Sequence, residues 1–174
     1  TLLPWEQELQ DAGCVFINTW GCDNHVNLSN AALSGANLSE MDLSRADLSG
    51  ADLSKSNLSG SDLTNADLSG ANLELSNLDN ADLDGANLRE ANLTGATLIG
   101  AWLTESSVTT DLANSNLTNA NFTNANLSTA NLSGANLTSA NFTDANLAYA
   151  NLSDALIVET IFTGADLRGI PMIY

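Results

Sequence analysis

The side chains with chemical potential are few and lie at one end. Cys14, Cys22 and His25 fall within the first 25 residues, and the chain holds only these two cysteines and one histidine. An even pair of nearby cysteines in a short, loop-rich segment reads as a disulfide, because such a segment gains most from a staple; two reduced thiols are the alternative. Tetrahedral zinc needs four ligands, and only His25 joins the pair, so no metal is assigned. No Ser, His and acid arrangement can be brought together by spacing. The chain is therefore read as non-enzymatic, with no catalytic, cofactor-binding or metal residue.

The acids are the second candidate. Asp and Glu number 21 against four Lys and Arg, for a net charge of −17 and a pI near 4.1. That balance argues against direct binding of nucleic acid or of an anionic membrane. Residues 40 to 111 hold 13 of the acids against three bases, whereas Asn replaces Asp almost throughout from Leu112 onward. Asp42, Asp62 and Asp82 recur every 20 residues, and Asp47 and Asp67 share that spacing. Together they form an acidic face, read first as a solvated surface that keeps the protein soluble. Were residues 20 apart to stack, Asp neighbours would repel by only about 1 kcal/mol per pair in water, which needs no metal. No stretch of 18 apolar residues occurs, so no transmembrane helix is expected. The chain begins at Thr1 rather than Met, which points to trimming or to removal of an export signal.

The elements that must position these residues follow from a period of five. Leu or a similar residue recurs from Leu28 through Leu103 and on to Val108; Leu112 follows after four residues, and the fives resume to Met172, making 30 centres. On a helix, successive centres would turn 140° apart and leave no apolar face; on one unbroken strand an odd period would alternate them between faces. The chain must bend once per unit. The small residue two before each Leu shares its inward side, and the Asp or Asn between them points out. The other two residues make a corner whose second position needs positive φ. Every glycine from Gly35 to Gly169 occupies that position, and Asn takes six more.

The unit ADLSG (Ala46 to Gly50) and its variant ANLSG (Ala130 to Gly134) resemble the pentapeptide repeat family, over roughly Val26 to Met172. The resemblance implies an all-β fold, a right-handed quadrilateral β-helix with four pentapeptides per 20-residue coil and a narrow core of Leu and Ala. Phe122, Phe142 and Phe162, spaced by 20, are then expected to form a core stack. About seven and a half coils at roughly 4.8 Å each give a rod about 36 Å long. Two regions are expected: an N-terminal cap over 1–25, and a β-helix over 26–174 with a register slip near 106–112. Within the cap, Pro4 to Ala12 reads as a short amphipathic helix and Cys14 to Trp20 as a first extended edge, together covering the end of the stack.

Three places break the outward-polar rule: Ile99 and Trp102 beside the slip, then Leu156, Val158 and Ile161, then the apolar tail after Arg168. The first two are candidate partner surfaces. The resemblance implies a structural or protein-interaction module with an unidentified protein partner, and a homodimer contact at the C-terminal end. It also points to a cyanobacterial source, where the family is abundant. Some members that protect DNA gyrase act as DNA mimics, so an inhibitor or protector of a type II topoisomerase is the alternative function. A Cys14–Cys22 bridge would place the protein outside the cytoplasm, in a periplasm or thylakoid lumen, with the cytoplasm as the alternative.

Overall fold

The computed structural model describes residues 2–16, 20–21, 25–104 and 109–170, with backbone alone at Val15, Phe16, Trp20 and Gly21. Helix α1 runs Pro4–Asp11, one residue short of the expectation at its C-terminal end, with Ala12 as its cap. Pro4 opens it without wasting a donor, and the Glu6 carboxylate accepts the Leu3 amide at 2.6 Å. Gly13 leaves it at φ 91°. The next segment departs from the single extended edge expected over Cys14 to Trp20. Strands β1 (Val15–Phe16) and β2 (Trp20–Gly21) pair antiparallel, Phe16 opposite Trp20, so the chain reverses between them. Ile17 and Cys22 lie outside the described residues.

From Asn27 onward the chain is a ladder of parallel bridges between residues 20 apart, beginning Asn27↔Asp47, Ala32↔Asp52, Asn37↔Asn57 and Asp42↔Asp62. Four bridges per 20 residues define four faces, called here faces 1 to 4 in that order. Each unit is held by the same bonds: Leu33 donates its amide to Asp52 O at 2.8 Å, Asp52 donates to Ala31 O at 3.0 Å, and Ala36 closes the corner on Leu33 O at 3.0 Å. Gly35, second in the corner, donates to Ser54 O at 2.9 Å. The corner residue has positive φ throughout, between 54° and 75° from Asn30 to Gly169. Stacking imposes this even on residues with no such preference, among them Glu40, Lys55, Leu75, Thr129 and Tyr149.

Four of the five amides in each unit are thereby satisfied, and the Ser or Thr after each Leu is left over. The outward Asp or Asn supplies the missing acceptor. Ser44 N donates to Asp42 Oδ1 at 3.0 Å, and the pattern recurs from Asn27 to Asp166. The position is thus Asx because a backbone group needs it, and both Asp and Asn serve. Asn does more. Its Nδ2 donates to the Asx of the preceding coil, as from Asn87 to Asp67 at 3.0 Å and from Asn146 to Asn126 at 3.0 Å. A carboxylate cannot donate, so Asp on Asp forgoes that bond.

The core is one continuous cluster of Leu and Ala, joined at the N-terminal end by Leu9 and Cys14, with Trp5 packed against it. Leu9 is fully buried, so α1 covers that end of the coil. Phe122 and Phe142 stack with ring centroids 4.8 Å apart, and Phe142 and Phe162 at 5.4 Å. The described partners on either side fix the register across the slip. Leu83 donates to Trp102 O, whereas Leu88 donates to Asp111 O, so Leu112 directly follows Leu103 as a face centre and the bridge spacing rises to 24 for one coil. Leu103 and Leu112 are thus consecutive face centres nine positions apart, four more than the regular five; Val108 and the rest of 105–108 lie outside the described residues.

Candidate interaction surface

The insertion is closed by one hydroxyl. In a regular corner Gly85 N would donate to Thr104 O, but that bond is not made here. Thr110, fully buried, takes over: its Oγ1 accepts the Gly85 amide at 3.2 Å and lies 3.0 Å from Leu83 O and 3.3 Å from Thr104 O, to one of which it donates. Arg89 and Asp111 form an exposed ion pair across the insertion at 3.1 Å.

The candidate residues separate onto different faces. Asp42, Asp62 and Asp82 form a continuous column on face 4, which Trp102 then continues, followed by Asn126 and Asn146. Asp47 and Asp67 pair on face 1, Asn87 following. The Ser44 hydroxyl, donating at 2.7 Å, holds the Asp42 carboxyl below its ordinary value, with help from the Ser44 amide. Asp52 on face 2 is lowered in the same way, chiefly by Ser54. Among the described residues, no three His, Cys, Asp or Glu side chains are grouped to hold a metal ion. A shallow depression of ≈ 430 Å³ is lined by Ser69, Gly70, Asn87, Arg89 and Glu90.

The apolar candidates form two separate patches. Ile99 (36% exposed) and Trp102 (56%) flank the corner between faces 3 and 4. Leu156 (52%), Val158 (44%) and Ile161 (46%) surround the corner between faces 2 and 3 in the last described coil, three coils further along. In the same coil the inward residues Ile157, next to Leu156, and Leu167, on face 4, are also exposed. Cys14 is buried and not a free thiol, while Cys22 lies outside the described residues. Among the described residues no helix is long and apolar enough to cross a membrane.

The profile described as pentapeptide repeats (8 copies) matches residues 24–60, 42–79, 56–95, 71–109, 110–144 and 135–170, which spans nearly all of the ladder. The chain belongs to the pentapeptide repeat family. The family fold is the right-handed quadrilateral β-helix, in keeping with the four bridge columns seen here. Among solved structures, this pentapeptide repeat protein is similar to HetL, a protein involved in heterocyst differentiation regulation in the cyanobacterium Nostoc, at 34% identity over 83% of this chain and 73% of that one, TM-score 0.34. A pentapeptide repeat protein of the Arabidopsis thaliana thylakoid lumen is 33% identical over 62% of this chain and 68% of its own, TM-score 0.35. QnrB1, a plasmid-mediated fluoroquinolone resistance protein, is 22% identical over 83% and 88%, TM-score 0.33. A search of curated proteins found no match. The family assignment rests on the repeats, and superposition adds nothing to it.

What sequence reasoning missed was the backbone role of the outward Asx. The signal was present, since Asp and Asn alternate freely there while other polar residues are rare.

Proposed function

We infer that this pentapeptide repeat protein is a non-enzymatic interaction module that associates with a second copy through the apolar corner of its last described coil. One observation carries the reading. Leu156 and Ile161 stand where Asn136 and Asn141 stand one coil earlier, and those Asn residues accept the Thr138 and Thr143 amides at 3.1 and 3.0 Å. Leu and Ile cannot accept, so this coil gives up two backbone hydrogen bonds and exposes apolar side chains. A contact that covers the patch recovers the cost by removing apolar area from water.

Sedimentation equilibrium between about 1 and 100 µM tests it. Self-association is expected in the parent and its loss in Leu156→Asn/Ile161→Asn, which restores the column's own residue and should fold normally. A parent that stays monomeric across that range overturns the self-contact. The Cys14–Cys22 bridge and the oxidising compartment it implies belong to the same reading, and two free thiols in unreduced native protein would remove both.

A further inference from the structure

Trp102 is bonded into the ladder on both sides, although it lies just before the slip. Its amide donates to Ala81 O at 3.0 Å, its carbonyl accepts Leu83 N at 2.7 Å, and the next coil is bonded on its other side through Asn126 N to Ala101 O at 2.9 Å. The indole is nonetheless 56% exposed, on an outward site where an Asx would serve the backbone. Ile99, across the corner, is similarly placed: Thr97 offers it no Asx acceptor, and its amide donates instead to Asp79 Oδ1 of the preceding coil at 2.9 Å. A rigidly held, exposed aromatic is the kind of residue that anchors a partner, because little ordering entropy remains to be lost.

The surroundings decide which partner. Toward the N-terminal end, face 4 continues as Asp82, Asp62 and Asp42, one carboxylate per coil, with Asp79 and Glu40 on one bordering corner and Asp84 on the other. Among the described residues Arg45 is the one cation on face 4 and its two bordering corners over that stretch, Lys55 lying at the corner between faces 2 and 3. Toward the C-terminal end the column is neutral, Asn126 and Asn146. The acids spread over about 10 Å at roughly 4.8 Å per coil, so a single ion cannot use them together, and a polyanion is repelled. Arg is the side chain that can both stack on an indole and pair with carboxylates.

We propose that face 4, from Asp42 to Trp102, is a docking surface for an Arg- and Lys-rich segment of a partner protein, with one Arg or Lys seated on the Trp102 indole and the next ones on the Asp column. The surface is separate from the C-terminal patch and does not depend on it. It assigns the acidic half a ligand class, where composition alone supports only a solvated face.

The test is fluorescence anisotropy with a labelled 12-residue peptide of alternating Arg and Gly, using the full chain at 50 and 300 mM salt. The expected results are saturable binding that weakens with salt, and a loss of tenfold or more in both Trp102→Ala and Asp42→Asn/Asp62→Asn/Asp82→Asn. The control, Asp47→Asn/Asp52→Asn/Asp67→Asn, removes the same charge from faces 1 and 2 and should weaken binding less than threefold. Asn is native to the same columns, so both triple variants should fold, which circular dichroism verifies. Binding unchanged in Trp102→Ala, a control that loses as much as the face 4 triple, or a parent that does not bind below 1 mM would each overturn the proposal. Self-association measured on the same variants reports separately on the C-terminal contact.

Discussion

Replacing Thr110 by Val removes one hydroxyl and leaves nearly the same shape, and the structure says what that hydroxyl does. It accepts the Gly85 amide at 3.2 Å and donates to Leu83 O or Thr104 O, closing the corner that follows Leu103. Leu83 O keeps the Ala86 amide at 2.9 Å, so it is not orphaned. The Gly85 amide is, and an unsatisfied, half-buried donor costs about 1–3 kcal/mol. Thr110→Ser keeps the hydroxyl and loses a buried methyl, at about 1 kcal/mol. Urea unfolding followed by circular dichroism should therefore rank the parent first, Ser second and Val last. Amide exchange adds a local readout: about 2 kcal/mol corresponds to roughly thirtyfold faster exchange at Gly85 in the Val variant. Thr163→Val, at an exposed corner, should stay within about 0.5 kcal/mol of the parent. A Val variant as stable as the parent, with Gly85 protection unchanged, would refute the claim that this hydroxyl closes the insertion.

Other consequences are equally direct. Ser56 Oγ is buried without a hydrogen-bond partner, whereas Ser76 Oγ one coil later donates to Leu73 O at 2.8 Å, so Ser56→Ala should stabilise by about 1 kcal/mol and Ser76→Ala should destabilise by about as much, read as urea midpoints. Asp62→Asn gives the face 4 column a donor toward Asp42 and relieves repulsion on both sides, so the midpoint should rise, by about 1 kcal/mol and most at low salt. Ser44→Ala removes the main cause of Asp42's lowered pKa. A depressed carboxyl contributes stability above its unfolded value, near 3.8, and loses it as pH falls through the lower folded value. The variant should thus be less stable than the parent at neutral pH, with the gap shrinking below pH 3.8, as unfolding at a series of pH values would show.

The period of five, the small residue two before each Leu and the glycines at one fixed corner position were sufficient to exclude helix and flat strand and to require one bend per unit, whereas four units to a coil followed from the resemblance to the pentapeptide repeat family. These features are local, and each follows from which backbone conformations a residue tolerates. The cap helix was legible for the same reason, from Pro4, Glu6 and Gly13. The stacking of Phe122, Phe142 and Phe162 needed only the coil length. Other features depended on contacts between residues a coil apart. The ten residues from Leu103 to Leu112 read in the sequence as holding a centre at Val108, because an apolar residue at spacing five looks like any other unit; the partners of Leu83 and Leu88 make Leu103 and Leu112 consecutive face centres. The cap hairpin was hidden because its two-residue strands carry no periodicity. Charge and exposure at Asp42 to Trp102 could be listed residue by residue, but only the ladder puts the carboxylates and the indole in one column. The same holds for the outward Asx: that it completes the backbone, and that Asn can bond to the coil before it while Asp cannot, depends on which amide the tertiary ladder leaves unpaired.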